Sequence, residues 1–271
     1  MKKILITGNS GYIGSHLTKI LQTDYIVHGL DINLPKVPVS KFYHIDINSD
    51  FSIQENYDCV IHLAALVKVN EGEKDPIRYY NTNIVGTINV LNKIKTANFI
   101  FSSTGVAEKC QNAYGISKRA AEDCVKQICQ SNINYTIFRF YNVIGSDGIP
   151  PTNPDGLFYN LMSATTKGKF TIFGDDYDTI DGTCIRDYVH VNEICHSIKL
   201  AIEHPSSKVE NLGHGIGHSV KEIVDLFKKT NKVTFDVIIE PRRTGDLESS
   251  VLDNPSTYLK QLYSLEDLLK I

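Results

Sequence analysis

Ile4-Leu-Ile-Thr-Gly-Asn-Ser-Gly-Tyr-Ile-Gly14 reads as a buried strand, a glycine-rich turn and the first turn of a helix. Gly8, Gly11 and Gly14 can take positive φ or leave room for close backbone approach. Amides at the helix start can then point at an anion beside the positive end of the helix dipole, the arrangement that holds a pyrophosphate. Asp31 ends the next apolar run, Tyr25 to Leu30, at the distance where a carboxylate accepts hydrogen bonds from an adenosine ribose and repels a 2′-phosphate. Strand, turn, helix, strand and acidic residue in this order point to a dinucleotide site that takes NAD rather than NADP.

Outward from this stretch, 271 residues can bury one large domain carrying a smaller lobe. A net charge of -3 and a pI near 6.3 give no electrostatic case for nucleic acid or an anionic membrane surface, so small molecules are the expected partners. Lys2 and Lys3 begin like a signal peptide, but the apolar run stops at Thr7, and no later stretch is expected to span a bilayer. Six cysteines (Cys59, Cys110, Cys124, Cys129, Cys184, Cys195) lack CxxC or zinc-ligand spacing. They read as reduced residues of a cytoplasmic protein with no metal site.

Tyr12 to Gln22 carries Ile13, Leu17, Ile20 and Leu21 at helical spacing. Asn33 to Ser40, with two prolines, is a loop, and Phe42 to Ile47 forms a third strand. Cys59 to Ala65 is a continuous apolar run, as in a parallel strand buried on both faces, and small Ala64 and Ala65 let a cofactor approach. Pro76 opens a helix whose stripe Ile77, Tyr80, Ile84, Ile88, Leu91 and Ile94 runs to Lys95 with Asn83 inside it. Phe99 to Thr104 is a strand ending in hydroxyls, which places Thr104 where chemistry collects in open α/β sheets. A helix over Tyr114 to Gln130 and a strand over Tyr135 to Phe140 complete the alternation. It predicts a Rossmann-type α/β fold, a doubly wound parallel sheet over residues 1–142. Beyond Asn142 glycines, prolines and short elements take over, so residues 143–271 are expected to form mainly a substrate-binding lobe, with room for an element to return to the main sheet. Ser219-Val-Lys-Glu222 and Ser264-Leu-Glu-Asp267 look like capping boxes opening two helices there.

Tyr114-Gly-Ile-Ser-Lys118 puts a phenol and an ammonium on one helix face. A phenol with an ordinary pKa of about 10 acts as a base near neutrality only beside cations, which Lys118 and an oxidised nicotinamide ring can provide. Arg186 and Arg243 offer planar forks for a nucleotide diphosphate, and Asp246 suits ribose hydroxyls.

The GxxGxxG spacing, with Tyr114 and Lys118 opening the helix after the Thr104 strand, resembles the extended short-chain dehydrogenase/reductase family, most of whose members remodel nucleotide sugars. Phe138 to Asn142, Ile172 to Tyr177, Asp181 to His190 and Pro241 to Asp246 resemble, segment by segment, the UDP-glucose 4-epimerase family. The resemblance implies that Thr104, Tyr114 and Lys118 are catalytic. It implies cofactor contacts from Gly8, Gly11, Tyr12, Ile13, Gly14, Asp31 and Asn33, from Asp46 and Ile47 at the adenine edge, and from Leu63, Ala64, Ala65, Asn83, Tyr114, Lys118 and Tyr141. Substrate contacts are implied for Thr104, Asn142, Asn160, Leu161, Tyr188, Arg186, Arg243 and Asp246, with Phe173 stacking on uracil. A homodimer pairing the helices Pro76 to Lys95 and Tyr114 to Gln130 is implied as well.

The expected activity is NAD-dependent 4-epimerisation of a UDP-hexose, plain or N-acetylated. C4 of such a sugar is not next to a carbonyl, so its proton is not acidic, and oxidation to a 4-keto sugar must come first, with Tyr114 taking the O4 proton. Gly105-Val106 after Thr104 offers no carboxylate before Glu108, which disfavours the family's dehydratase and decarboxylase chemistries. A nucleotide-sugar 4-ketoreductase and a noncatalytic NAD sensor stay open as alternatives. The chain departs from the pattern at several places. Nine residues, Gly105 to Ala113, separate Thr104 from Tyr114 and are fewer than is usual, so part of the sugar-pocket wall is expected to be missing. Val67, next to Lys68, replaces a phosphate-binding lysine, and Phe140 a tyrosine; Ser250 replaces a bulky tyrosine, which leaves room for an N-acetyl group.

Overall fold

The computed structural model describes residues 1–243, 246–256 and 258–271. The chain begins with β1 (Lys3–Thr7), α1 (Tyr12–Leu21), β2 (Ile26–Asp31), β3 (Lys41–His44), β4 (Asn56–Tyr57) and β5 (Cys59–His62). There follow α2 (Val69–Lys74), α3 (Pro76–Tyr80), a π-helical turn (Asn81–Val85), α4 (Gly86–Lys93), β6 (Lys95–Thr96) and β7 (Asn98–Thr104). A 3-10 turn (Gly105–Ala107) leads to α5 (Ala113–Cys129), β8 (Asn134–Phe140), β9 (Asn142–Ile144), α6 (Leu157–Lys167), β10 (Lys169–Phe173) and β11 (Ile185–His190). The remainder is α7 (Val191–Glu203), β12 (Lys208–Leu212), β13 (Gly217–Ser219), α8 (Val220–Asn231), β14 (Asp236–Glu240), β15 (Ser249–Ser250) and α9 (Leu265–Leu268).

A seven-stranded sheet has the order β12-β8-β7-β5-β1-β2-β3, parallel from β8 through β3, which is the doubly wound α/β architecture the alternation predicts. The chain winds from β1 out to β3 and then returns to build β5, β7 and β8 on the other side. The strand order therefore reverses between β1 and β5, and ligands of open α/β sheets bind at the carboxyl ends of the strands at such a point. Those ends are Thr7 and His62, so the glycine turn after β1 lies at the switch.

Three boundaries differ from the sequence reading, each for a local reason. The third strand closes at His44, and Asp46 instead folds an Asx turn, its Oδ1 accepting from the Asn48 backbone N–H at 2.9 Å and from Asn48 Nδ2 at 3.0 Å. The strand opening at Cys59 ends at His62, leaving Leu63 to Ala65 outside the ladder. The helix expected from Pro76 to Lys95 starts as read, with Asp75 accepting from the Arg78 N–H at 3.2 Å, but a π-turn interrupts it at Asn83.

The chain forms two compact units, Met1–Phe140 with Cys195–Glu210, and Tyr141–Ile194 with Asn211–Ile271. Leu5, Leu30, Val60, Phe99, Phe101 and Ile137 are at the centre of the first core. Phe158, Leu161, Phe170, Ile172, Tyr188 and Phe227 are at the centre of the second. Both capping boxes form, at Ser219–Glu222 and Ser264–Asp267. All six cysteines are free thiols, four of them buried. Among the described residues no helix is long and apolar enough to cross a membrane.

Candidate active site

At the glycine turn, Gly8 has φ +75°, and a Cβ there would stand 2.6 Å from the Ala64 nitrogen. A Cβ on Gly14 would stand 2.2 Å from the Gly8 carbonyl oxygen. The turn thus takes this form only with no side chain at positions 8 and 14, and it brings Ala64 against Gly8. Gly11 starts α1 with no side-chain cap, so the helix presents its dipole end directly. Asp31 closes the far side of the turn: Oδ2 accepts from the Ser10 N–H at 3.0 Å and Oδ1 from the Asn33 N–H at 2.9 Å, while Ser10 Oγ donates to the Asn33 carbonyl at 2.7 Å. Asn9 is buried with neither side-chain polar atom hydrogen-bonded. Side-chain-free backbone, an uncapped helix start, a carboxylate at the end of β2 and an unsatisfied amide in the turn fit a dinucleotide. Tyr12 and Ile13 are half-buried at the helix start, and Leu63 binds back to Thr7 through its N–H at 3.0 Å.

Several residues assigned to the cofactor by resemblance have structural work of their own. Asn83, in the π-turn, accepts from the Leu66 N–H at 2.9 Å and donates to the Leu66 carbonyl and to Ser117 Oγ, both at 2.9 Å. Its amide therefore ties the segment after β5 to α5. Ile47 is buried in the first core, and its carbonyl accepts from Asn89 Nδ2 at 3.0 Å. The half-buried Ala65 lies beside Ala64.

Thr104 ends β7 and Tyr114 lies in the first turn of α5, whose start Asn112 caps by accepting from the Gly115 N–H at 2.8 Å. The Thr104 hydroxyl is hydrogen-bonded to the Tyr114 phenol. Burial pushes the Tyr114 pKa up to about 12; the Thr104 hydrogen bond opposes this and nearby Tyr79 adds to it. The Lys118 ammonium lies over the Phe101 ring, 4.5 Å from its centroid. Lys118 is itself 2 % exposed, and burial brings its pKa down to about 7 against the pull of Glu122 one turn on.

That shift has a consequence for stability. Lys118 in an unfolded chain titrates near pKa 10.4. Between that value and about 7 the unfolded chain holds a proton that the folded chain has released, so this group's contribution to stability rises with pH across the window and is least favourable below it. Lys118→Met is expected to raise the melting temperature of the cofactor-free protein most at pH 6, with the gain shrinking toward pH 10, and to remove activity. Melting curves across that range check it.

In the second unit, Phe173 ends β10 with the Arg243 guanidinium over its ring, 4.5 Å from the centroid. Arg243 Nε donates to Asp246 Oδ2 at 3.0 Å, and Arg186 Nη2 lies 4.0 Å from Asp246 Oδ1. Two cations, a carboxylate and an aromatic face are therefore assembled from three distant stretches; Thr244 and Gly245 between them lie outside the described residues. Asn142 pairs with Tyr188 across β9 and β11 and donates to the Asp187 carbonyl at 3.0 Å. Asn160 Nδ2 binds the Pro154 and Gly156 carbonyls at 2.7 and 2.9 Å. The side chains of Leu161 and Tyr188 are in the second core, which leaves Leu161 only its backbone for a ligand. Tyr141 binds the Leu212 carbonyl through its N–H at 3.2 Å, Ser250 pairs with Arg186 across β11 and β15, and Lys68 Nζ binds Glu71 at 2.6 Å.

Residues 4–214 match the family described as the NAD dependent epimerase/dehydratase family. The chain belongs to that family. Within the NAD dependent epimerase/dehydratase family it is 34% identical to a UDP-glucose 4-epimerase of Lactobacillus helveticus, over 93% of this chain and 88% of the relative. Its fold is similar to that of the UDP-glucose 4-epimerase from Brucella ovis in complex with NAD, with a TM-score of 0.88 at 27% identity, covering 99% of this chain and 96% of that one. The UDP-Glc/GlcNAc 4-epimerase from Campylobacter jejuni aligns with a TM-score of 0.76 at 33% identity over 98% and 96%.

In this member of the epimerase/dehydratase family the sequence reading missed a buried charge cluster that joins β7, β8 and α5. Arg139, 9 % exposed near the end of β8, donates from Nε and Nη2 to the two oxygens of the fully buried Glu122, at 2.8 and 2.7 Å, and from Nη1 to Glu108 at 2.6 Å. Ser103 Oγ donates to the same Glu122 at 2.5 Å. The signal available in the sequence was Glu122 at i+4 from Lys118 on a helix face that should be buried. Glu108, the first carboxylate after Thr104, is thus engaged by an arginine.

Proposed function

We propose that this chain is an NAD-dependent 4-epimerase of a UDP-hexose, acting through a transient 4-keto sugar. The observation that carries the reading is the Tyr114 phenol hydrogen-bonded to Thr104 with the Lys118 ammonium one turn along the same helix, in the unit that also holds the glycine turn. The first unit holds NAD and the second the nucleotide of the substrate.

Gly8, Gly11 and Gly14 let the α1 amides of Tyr12 and Ile13 hold the pyrophosphate, and Asp31 accepts from the adenosine ribose. NAD, when bound, supplies a reversible two-electron acceptor and a cationic ring. Tyr114 Oη takes the O4 proton and returns it on reduction, with the Thr104 hydroxyl orienting the phenol. With its pKa near 12, Tyr114 is protonated in the ligand-free chain, so its work as a base is confined to the loaded site, where added cationic charge stabilises phenolate. Lys118 holds the nicotinamide ribose. Arg186 and Arg243 engage the diphosphate as planar forks, and Phe173 offers a ring face for the base. Ser250, a small residue paired with Arg186, leaves space for an N-acetylated hexose.

Incubation with UDP-glucose, UDP-galactose and their N-acetylated counterparts, resolving C4 epimers, tests this. The expected result is the same mixture from either epimer with no net change in NADH absorbance. Stoichiometric NADH consumption by a 4-keto sugar identifies a ketoreductase instead, and NAD binding without turnover identifies a sensor; strong preference for the unsubstituted hexose removes the N-acetyl assignment. The same reading places the enzyme in the cytoplasm, where its thiols stay reduced, and cell fractionation checks this. It also makes the enzyme a homodimer, supported by Ile77, Val85 and Ile116, all more than 40 % exposed on α3, the π-turn and α5. A sedimentation mass of one chain would remove the dimer.

A further inference from the structure

We propose that Arg139 is a positioning residue for the reaction: one guanidinium clamps the helix that carries Tyr114 and Lys118 to the strand that ends in Thr104, and through Glu108 it pins the short segment joining them. This rests on the epimerase reading.

The geometry is a three-way junction. Arg139 is the ladder partner of Ser103, so it lies beside the residue that precedes Thr104. Its fork takes both oxygens of Glu122, which is one turn beyond Lys118 on α5, and Ser103 shares that carboxylate from β7. The remaining nitrogen reaches Glu108, just after the 3-10 turn that leaves Thr104. Strand, helix and joining segment therefore meet on one planar cation with fixed hydrogen-bond directions, a geometry an ammonium cannot reproduce.

The cluster also explains how nine residues suffice between Thr104 and Tyr114. The segment turns tightly, with the Cys110 N–H bonded to the Val106 carbonyl at 3.2 Å, and Glu73 accepts from the Ala113 N–H at 2.8 Å at its far end. Arg139 holds the middle. A misplacement of about 1 Å at reacting groups costs on the order of 100-fold in rate, so a clamp on the Thr104–Tyr114 pair is felt in kcat rather than in binding.

Arg139→Lys keeps the charge beside buried Glu122 and removes the fork, and Glu108→Gln leaves the Arg139–Glu122 pair intact while weakening the pin. Both are measured in the full chain for kcat, KM, NAD occupancy and amide hydrogen exchange of residues 105–118. We expect kcat to fall about 10-fold or more in Arg139→Lys and by a smaller factor in Glu108→Gln, with KM and NAD occupancy within about twofold. Faster exchange confined to residues 105–118 should accompany it. Unchanged kcat in Arg139→Lys overturns the proposal, and so does a loss of kcat, NAD occupancy and melting temperature together in both variants, which marks a purely structural pair. Hydrogen exchange reads the clamp even if the wild-type chain turns over no UDP-sugar, so failure of the epimerase reading is seen separately.

Discussion

Tyr114→Phe is expected to lower kcat for C4 interconversion by about 10²–10⁴-fold while the protein still folds and retains NAD. The substitution removes one oxygen from a half-buried ring and leaves the ring's packing. What disappears is the hydroxyl beside Thr104 that would hold the O4 proton while the sugar is oxidised and return it afterwards. The measurement is epimer exchange under saturating UDP-sugar together with NAD content of the purified protein. Thr104→Val should cost less, since it removes the orienting hydroxyl and leaves the phenol. A Tyr114→Phe enzyme with wild-type turnover would move the proton transfer to another residue and remove the assignment of α5 as the catalytic helix.

Gly14→Ala is expected to yield a protein without bound NAD. The added methyl would stand 2.2 Å from the Gly8 carbonyl oxygen and 2.7 Å from the Asn9 Cα. Both are backbone atoms of the turn, so relief requires moving the turn itself rather than rotating a side chain. Overpacking of this kind costs about 1–3 kcal/mol in stability, and the displaced amides lose their aim at the pyrophosphate. Gly148→Ala is the control: Gly148 has φ +79° with nothing within 4 Å of a built Cβ, so it should cost about 1–2 kcal/mol in stability and leave NAD affinity unchanged. Equilibrium titration with NAD and chemical denaturation separate the two effects.

The position of the dinucleotide turn was legible because it depends on local chemistry: residues without side chains must stand at fixed intervals between a strand and a helix, and an acid must end the next strand. The capping boxes at Ser219 and Ser264 were legible for the same reason, each being completed within four residues. The π-turn was not. A stripe of apolar residues from Ile77 to Ile94 survives one extra residue in the backbone, and only the demand of Leu66 and Ser117 on the Asn83 amide fixes where that residue goes.

The sequence by itself determined the main alternation of strands and helices over residues 1–142, the glycine turn, and the spacing of Tyr114 and Lys118, since each follows from steric and periodic rules acting over a few residues. Tertiary structure alone decided which charges meet. Arg139, Glu122 and Glu108 converge from a strand, a helix and a loop; Arg186, Arg243 and Asp246 gather beside Phe173; and burial pushes the Tyr114 phenol up while the Thr104 hydroxyl opposes it. Desolvation and pairing of charge depend on what the rest of the chain brings alongside, which no local spacing encodes.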